Sequence, residues 1–248
     1  MIMKSEKKLQ DAIRKLDWMK QVLEGGTSIG VFTIDEIKRQ LHEFMVDNER
    51  TPKKGEFNIW DWVANDELRP VMEGVFHDKE NKVAVATNAH MLVVDAASYD
   101  ESKTDSVGFD SGKQKFDRPI NKYGEYIDGR FPNYQAVIPQ QTNEWTLHHV
   151  NLQEFDEYIK KCNAYCKMQG WGGKYKPMSV YRVGDVWFHA ERLRLMLTAT
   201  DGDVWVKASD RPAVYWSSNR TALIMPVLVE DKKLMQEEKE YGMYFLEI

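Results

Sequence analysis

The same helix-opening pattern occurs twice in this chain, starting at positions 33 and 151, 118 residues apart. Thr33-Ile34-Asp35-Glu36-Ile37 aligns with Asn151-Leu152-Gln153-Glu154-Phe155: a cap, an apolar residue, an acid three positions after the cap, and a second apolar residue. A Thr or Asn side chain in the first position accepts from free amide groups of the opening turn, and the acid three residues on completes a capping box. Apolar residues then recur at spacings of three and four, which is one face of a helix. They are Ile34, Ile37, Leu41 and Phe44 in the first copy, and Leu152, Phe155, Ile159, Cys162 and Cys166 in the second. A short strand pattern precedes each helix, at 29–32 and 144–150. Strand-like segments follow each: 71–77, 82–86 and 90–95, then 180–189, 193–198, 204–208, 213–217 and 222–229. The expectation is two similar units of roughly 110 residues, each a strand, a helix and a set of antiparallel strands.

Three further stretches frame these units. Leu9, Ile13, Leu16, Met19 and Leu23 make residues 4–23 an amphipathic helix that Gly25-Gly26 ends, its lysines read as a solvated face. Residues 96–122, rich in Ser, Asp, Gly and Lys, read as a long irregular connection. Val137-Ile138-Pro139 reads as strand-like.

Composition narrows the function. Of 248 residues, 42% are hydrophobic and 12% aromatic, enough for a sizeable core. No apolar run approaches the ~18 residues of a membrane span. The charged opening Lys4-Ser5-Glu6 leads to the expectation of no signal peptide and a cytoplasmic location, with no membrane partner. Two cysteines cannot build a disulfide framework. A net charge of −5 argues against coating nucleic acid with the whole surface, but leaves a local basic face open. Enzyme signatures are missing. Gly112-Lys113 runs into Gln114 and lacks the hydroxyl of a phosphate-binding loop, and no Gly-x-Ser-x-Gly elbow occurs. His148 and His149 are adjacent and point to opposite faces of a strand. Cys162 and Cys166 fall in the apolar stripe of a helix, where they read as small core residues rather than zinc ligands. The expectation is no catalytic residues, no metal and no cofactor.

Three ordered segments carry a resemblance. Asp128-Gly129-Arg130-Phe131-Pro132-Asn133-Tyr134, followed by Val137-Ile138-Pro139, resembles the signature between the second and third domains of the bacterial DNA polymerase III sliding clamp, the beta subunit. Val85-Ala86-Thr87-Asn88-Ala89-His90-Met91-Leu92 is similar to that family's Ala-Thr-Asp-Gly-His-Arg-Leu strand and turn. Ala222-Leu223-Ile224-Met225-Pro226-Val227 is similar to its C-terminal strand with the Met-Pro pair. The resemblance spans roughly residues 28–230.

It implies an α+β, DNA-clamp-like fold: two pseudo-repeated domains of antiparallel sheet with helices on one face. The domains expected are an N-terminal helix at 1–27, a clamp-like domain at 28–139, a second at 140–230, and an extension at 231–248. The implied role is that of a non-enzymatic processivity factor that surrounds duplex DNA without reading sequence and docks peptides of DNA polymerase and other partners. The implied peptide cleft comprises Thr87, Ala89, His90, Leu92, Pro132, Val137, Leu223, Met225, Pro226 and Val227. Lys38, Arg39, Lys160, Lys161 and Lys167 are the implied DNA-facing cations, although acids share their helices. Family clamps carry three domains per chain and this chain has room for two, so three copies would make a six-domain ring. Ala89 and Met91 stand where the family has Gly and Arg. Residues 93–128 are short for half a clamp domain, so the first unit is either reduced or completed by the N-terminal helix. That shortening keeps a second reading open, a clamp-derived adaptor or competitor that binds polymerase peptides without encircling DNA. A small enzyme with an unrecognised acidic site is a third. The tail, with its apolar end Met243-Tyr244-Phe245-Leu246, is expected to pack over or near the cleft and compete with partners, or else to add an edge strand or pack in the ordinary way.

Overall fold

The computed structural model describes residues 56–65, 68–104, 107–109, 115–172, 177–208, 210–229, 234–237 and 242–246. The helix expected at 4–23, the strand at 29–32 and the first capped helix lie outside the described residues, as do Lys38 and Arg39.

The fold is α+β. Strands β1 (Phe76–Asp78), β2 (Val83–Thr87), β3 (Met91–Asp95), β6 (Thr146–His149), β9 (Asp203–Val206), β10 (Ala213–Trp216) and β11 (Arg220–Ile224) form one antiparallel sheet in the order β1-β2-β3-β11-β10-β9-β6. A second antiparallel sheet, ordered β12-β13-β7-β8, uses β7 (Met178–Val183), β8 (Val186–His189), β12 (Leu234–Glu237) and β13 (Met243–Leu246). A small hairpin pairs β4 (Val107–Phe109) with β5 (Lys115–Asp117). The α-helices among the described residues are α1 (Leu152–Met168) and α2 (Ala190–Ala199).

Alternation along the strands places the core. On β3, Met91 and Val93 face one side and Leu92 and Val94 the other. The first side, with Ala84, Ala86, Ala222 and Ile224, meets Leu193, Met196 and Leu197 of α2 and Phe155 of α1. Val183, Val186 and Phe188 of the second sheet enter the same core. α2 therefore wedges between the sheets, touching β11 on one side and β7 and β8 on the other. On the opposite face of the large sheet, Val85, Leu92, Val214 and Leu223 are covered by Phe131, Tyr134 and Trp145.

α1 starts as the cap predicts: the Asn151 side chain accepts from the amides of Gln153 at 2.9 Å and Glu154 at 3.2 Å. Other expectations need correction. Residues 193–198 are not a strand-like segment but part of α2. Leu193, Leu195 and Leu197 mimic a period of two, yet Leu193, Met196 and Leu197 make one buried helical face in a run of good helix formers. Residues Tyr134–Val137 form a 3₁₀ turn, not a strand, and Pro139 has no N–H to offer a ladder. β11 ends at Ile224 rather than running to residue 229, because Pro226 cannot donate. The segment expected to be irregular contains β4, β5 and a 3₁₀ turn at Glu101–Lys103. The apolar tail end is β13, an added strand paired with β7 and buried against Cys162, Tyr165 and Cys166 of α1; its Tyr244 ring meets Trp187 at 4.9 Å.

The large sheet runs without a break across the expected domain boundary at 139/140, because β3 pairs with β11 along five residues from Met91↔Ile224 to Asp95↔Arg220. Buried Asp95 receives Arg220 Nε at 2.8 Å. The same guanidinium donates to the Ala199 carbonyl at 2.7 Å and lies 3.6 Å from the Phe57 ring centroid. Two chain halves and the end of α2 are thus tied at one point.

Candidate functional site

The three segments that carry the resemblance come from far-apart stretches of chain and meet on one face of the large sheet. Thr87 lies opposite Leu92 in the β2–β3 ladder, and Leu92 lies opposite Leu223 in the β3–β11 ladder. Phe131 and Tyr134 of the third segment pack on Leu92 and Leu223 in one buried cluster. Gly129 allows that approach. Its φ is +126°, and a Cβ there would sit 2.4 Å from Val71 Cγ1.

The hairpin tip is built by its own side chains. The Thr87 hydroxyl donates to the Met91 carbonyl at 2.7 Å and accepts from the Ala89 amide at 3.2 Å. The Asn88 side chain accepts from the amides of His90 and Met91. Ala89 has φ +69°, which a glycine would hold with less strain. His90 is therefore thrust into solvent, and its carbonyl accepts the Met225 amide at 2.8 Å. The Val227 amide donates to the Trp187 carbonyl of β8, also at 2.8 Å. The chain leaving β11 is thus stitched to the hairpin tip on one side and to the second sheet on the other.

The ten cleft residues divide by exposure. Thr87, Leu92 and Leu223 are buried, Leu92 and Leu223 in one cluster with Phe131 and Tyr134. Pro132, Pro226 and Val227 are half-buried, and Ala89, His90, Val137 and Met225 are exposed. Val137 stands on the 3₁₀ turn with 57% of its surface open. Beside Pro132 lies a groove of about 640 Å³, lined by Phe76, Asp78, Arg130, Phe131 and Tyr134 among others. Its wall is rigid: Phe76 and Phe131 stack at 5.0 Å, and Tyr134 Oη donates to Asp78 Oδ2 at 2.8 Å. Burial, then this bond to a carboxylate, push the Tyr134 hydroxyl up to about 12. Burial pushes Asp78 upward, but bonds from Asn81, Tyr134 and the Glu80 amide outweigh it and hold the carboxyl below its usual range.

Sequence reasoning picked Pro132 from its segment but missed Phe131 and Tyr134, which do the packing. The signal was present, since both are aromatics flanking that proline. Two cations whose charge acts on His90, Arg69 and Arg192, had no such signal, because they come from unrelated elements. Burial and these two cations hold the His90 imidazole below its ordinary pKa. Arg192, in the first turn of α2, is half-buried, and burial pulls its guanidinium below the usual arginine range.

Of the expected DNA-facing cations, Lys160, Lys161 and Lys167 are described, and all three are exposed on α1, away from its buried Phe155–Cys162–Cys166 stripe. A second groove of about 330 Å³ runs between α1 and α2, where Lys160 sits with Asp156, Glu157 and Arg194. Arg194 is tied to Asp156 through Nε and Nη2. Among the described residues no group of three or more His, Cys, Asp or Glu could hold a metal ion, and no helix is long and apolar enough to cross a membrane.

No family model matches the sequence, and no curated protein matches it. The solved structures similar to this chain include DNA polymerase III beta sliding clamps. The clamp of Bartonella birtlesii, bound to griselimycin, is 15% identical, with 68% of this chain and 62% of that chain covered and a TM-score of 0.46. The DNA polymerase III beta chain of Streptococcus pneumoniae is 14% identical, with 77% and 63% covered and a TM-score of 0.47. The clamp of Helicobacter pylori, bound to a DNA ligase peptide, is 13% identical, with 75% and 63% covered and a TM-score of 0.45. The chain spans less than two thirds of the length of these structures.

Proposed function

We infer that this protein is a clamp-like, non-enzymatic module that docks partner peptides at the His90–Met225 edge and tethers them to duplex DNA. One observation carries the reading: the three segments that resemble sliding-clamp motifs, dispersed over residues 85–227, converge on one sheet face. Core packing alone needs no exposed Met225 or His90 there. Exposed apolar Val137 and Met225 with polar His90 near Met225 suit a short peptide with Leu and Phe anchors, such as those of a DNA polymerase. Exposed lysines on α1 suit weak, sequence-independent phosphate contacts that permit sliding. Ring closure needs six domains, which three copies of a two-domain chain would supply.

The adaptor reading, peptide binding without encirclement, has its own support. Between residues 96 and 128 the described residues hold a short hairpin and one 3₁₀ turn, where half a clamp domain would hold a helix and several strands. Light scattering over a concentration series separates the two. A trimer of about 87 kDa, three times 29.0 kDa, that stays on circular duplex and runs off when the circle is cut is expected for a clamp. A monomer at every concentration would overturn encirclement and leave the adaptor.

A further inference from the structure

A row of apolar side chains runs across the large sheet and stops at an open edge. Leu92 of β3 lies opposite Leu223 of β11, Leu223 opposite Val214 of β10, Val214 opposite Trp205 of β9, and Trp205 opposite Leu147 of β6. Residues opposite one another in antiparallel strands share a face, so the row is continuous over five strands. Leu92, Val214 and Leu223 are buried and Trp205 is half-buried, while Leu147 exposes 48% of its surface. The row ends because the sheet ends, not because its chemistry changes.

The edge at β6 differs from the others. β6 is terminal in its sheet, and among the described residues its ladder runs to β9 alone. The Val150 amide donates to the Gly202 carbonyl at 2.9 Å. Backbone groups alternate in direction along a strand, so those of His148 and Thr146 turn to β9 as that of Val150 does. The N–H and C=O of Leu147 and His149 therefore turn outward. At the other end of the sheet, Val75 beside β1 exchanges bonds of 2.8 and 2.9 Å with Ile120. In the second sheet, the edge of β8 takes the Val227 amide on the Trp187 carbonyl at 2.8 Å. β12 ends in Glu237 and is flanked in sequence by Lys232-Lys233 and Glu238-Lys239-Glu240. Thr146-Leu147-His148-His149 contains no Lys, Asp, Glu or Pro, the residues that keep an edge from pairing. Its histidines are held in place: His149 Nδ1 lies 2.8 Å from Asp203 Oδ1, and a Cβ on Gly184 would come within 3.1 Å of His148 Nε2.

The strand that continues this row has an exposed apolar residue between neutral polar ones, with outward backbone groups at that residue. β6 of a second copy meets each condition. In an antiparallel pair about a two-fold axis through Leu147, the two Leu147 residues exchange both backbone hydrogen bonds. The row then reads Trp205–Leu147–Leu147–Trp205 across the axis. Thr146 of one copy lies opposite His148 of the other, and no carboxylate or ammonium meets its like.

We propose that β6 is a self-association edge, through which two copies join their large sheets with Leu147 on the axis. The contact is isologous and closes at two copies, so it differs from the head-to-tail contact that a three-copy ring needs. It depends neither on peptide docking nor on encirclement.

Two measurements on the full chain test it. Leu147→Cys sets two Cα atoms about 5.5 Å apart, within reach of a disulfide. With diamide as the oxidant, most of this variant is expected to run as a covalent dimer on a non-reducing gel. The natural chain, whose Cys162 and Cys166 are buried, and Ser218→Cys, an exposed thiol in another turn, should stay single. Light scattering is the second measurement. The natural chain should reach about 58 kDa, twice 29.0 kDa, and Leu147→Lys should raise the concentration needed by about tenfold, because two ammonium groups then face each other. Leu147→Thr, neutral and suited to a strand, should fall between them, and thermal unfolding confirms that each variant folds. A Leu147→Cys chain that crosslinks no more than Ser218→Cys overturns the proposal, as does a mass that Leu147→Lys leaves unchanged. A trimer of about 87 kDa, three times 29.0 kDa, in both the natural chain and Leu147→Lys keeps the ring and removes this contact.

Discussion

His77 shows how one buried side chain sets a pH limit on this fold. It is buried in β1, and its Nδ1 accepts the Asp100 amide at 3.2 Å. Burial, then Lys103, against a smaller opposing effect of Asp100, lower its pKa from 6.5 to about 4. The folded protein thus holds the imidazole neutral where the unfolded chain protonates it. Stability is complete above pH 6.5 and falls as pH drops toward 4, by up to about 3 kcal/mol. Denaturant titrations at pH 7.5, 6.0 and 5.0 should follow this slope, and His77→Asn, which keeps an acceptor near Nδ1, should flatten it. An unchanged slope in the variant would place the pH sensitivity elsewhere. Nothing local in the sequence marks His77 this way, because the partner amide is 23 residues on and the burial comes from tertiary packing. The hairpin tip was legible for the opposite reason: Thr87, Asn88 and the positive-φ residue Ala89 act within five residues of one another.

Elements were legible where a local signal agreed with tertiary need. α1 is the clearest, since its cap, acid and apolar stripe all point to one helix. Removing the cap oxygen with Asn151→Ala should cost about 1 kcal/mol, read as a lower denaturation midpoint with an unchanged slope against denaturant. A shift below about 0.3 kcal/mol would mean that packing of Phe155 and Cys162 alone sets the helix start. α2 was missed because ten residues give few turns on which to separate periods, and the Leu193–Leu195–Leu197 alternation fits a strand as well. Two of the residues chosen for the cleft, Leu92 and Leu223, pair across strands, which the sequence signals through the resemblance rather than through any local pattern. The charges of Arg69 and Arg192 that act on His90 were not legible, because they come from distant elements.

At the scale of the whole molecule, the β3–β11 ladder decides what can be cut. The domain boundary expected at 139/140 leaves β11 without its neighbour if residues 140–248 are expressed alone. The piece would then expose the edge of β11, the apolar side chains of Leu223 and Ile224, and Arg220 without Asp95. It is expected to aggregate or to melt without a cooperative transition, whereas the whole chain unfolds cooperatively. Cooperative melting of 140–248 would show two independently stable domains. The ladder also has a consequence in time. Asp95 and Arg220 are 125 residues apart, and translation proceeds at about 5–20 residues per second, so the β2–β3 hairpin leaves the ribosome about 6–25 seconds before β11 can cover its open side. During that interval Met91, Leu92 and Val93 sit on an unpaired edge. The nascent chain therefore depends on a chaperone, or on its own preceding segment, to shield that edge until synthesis is nearly done.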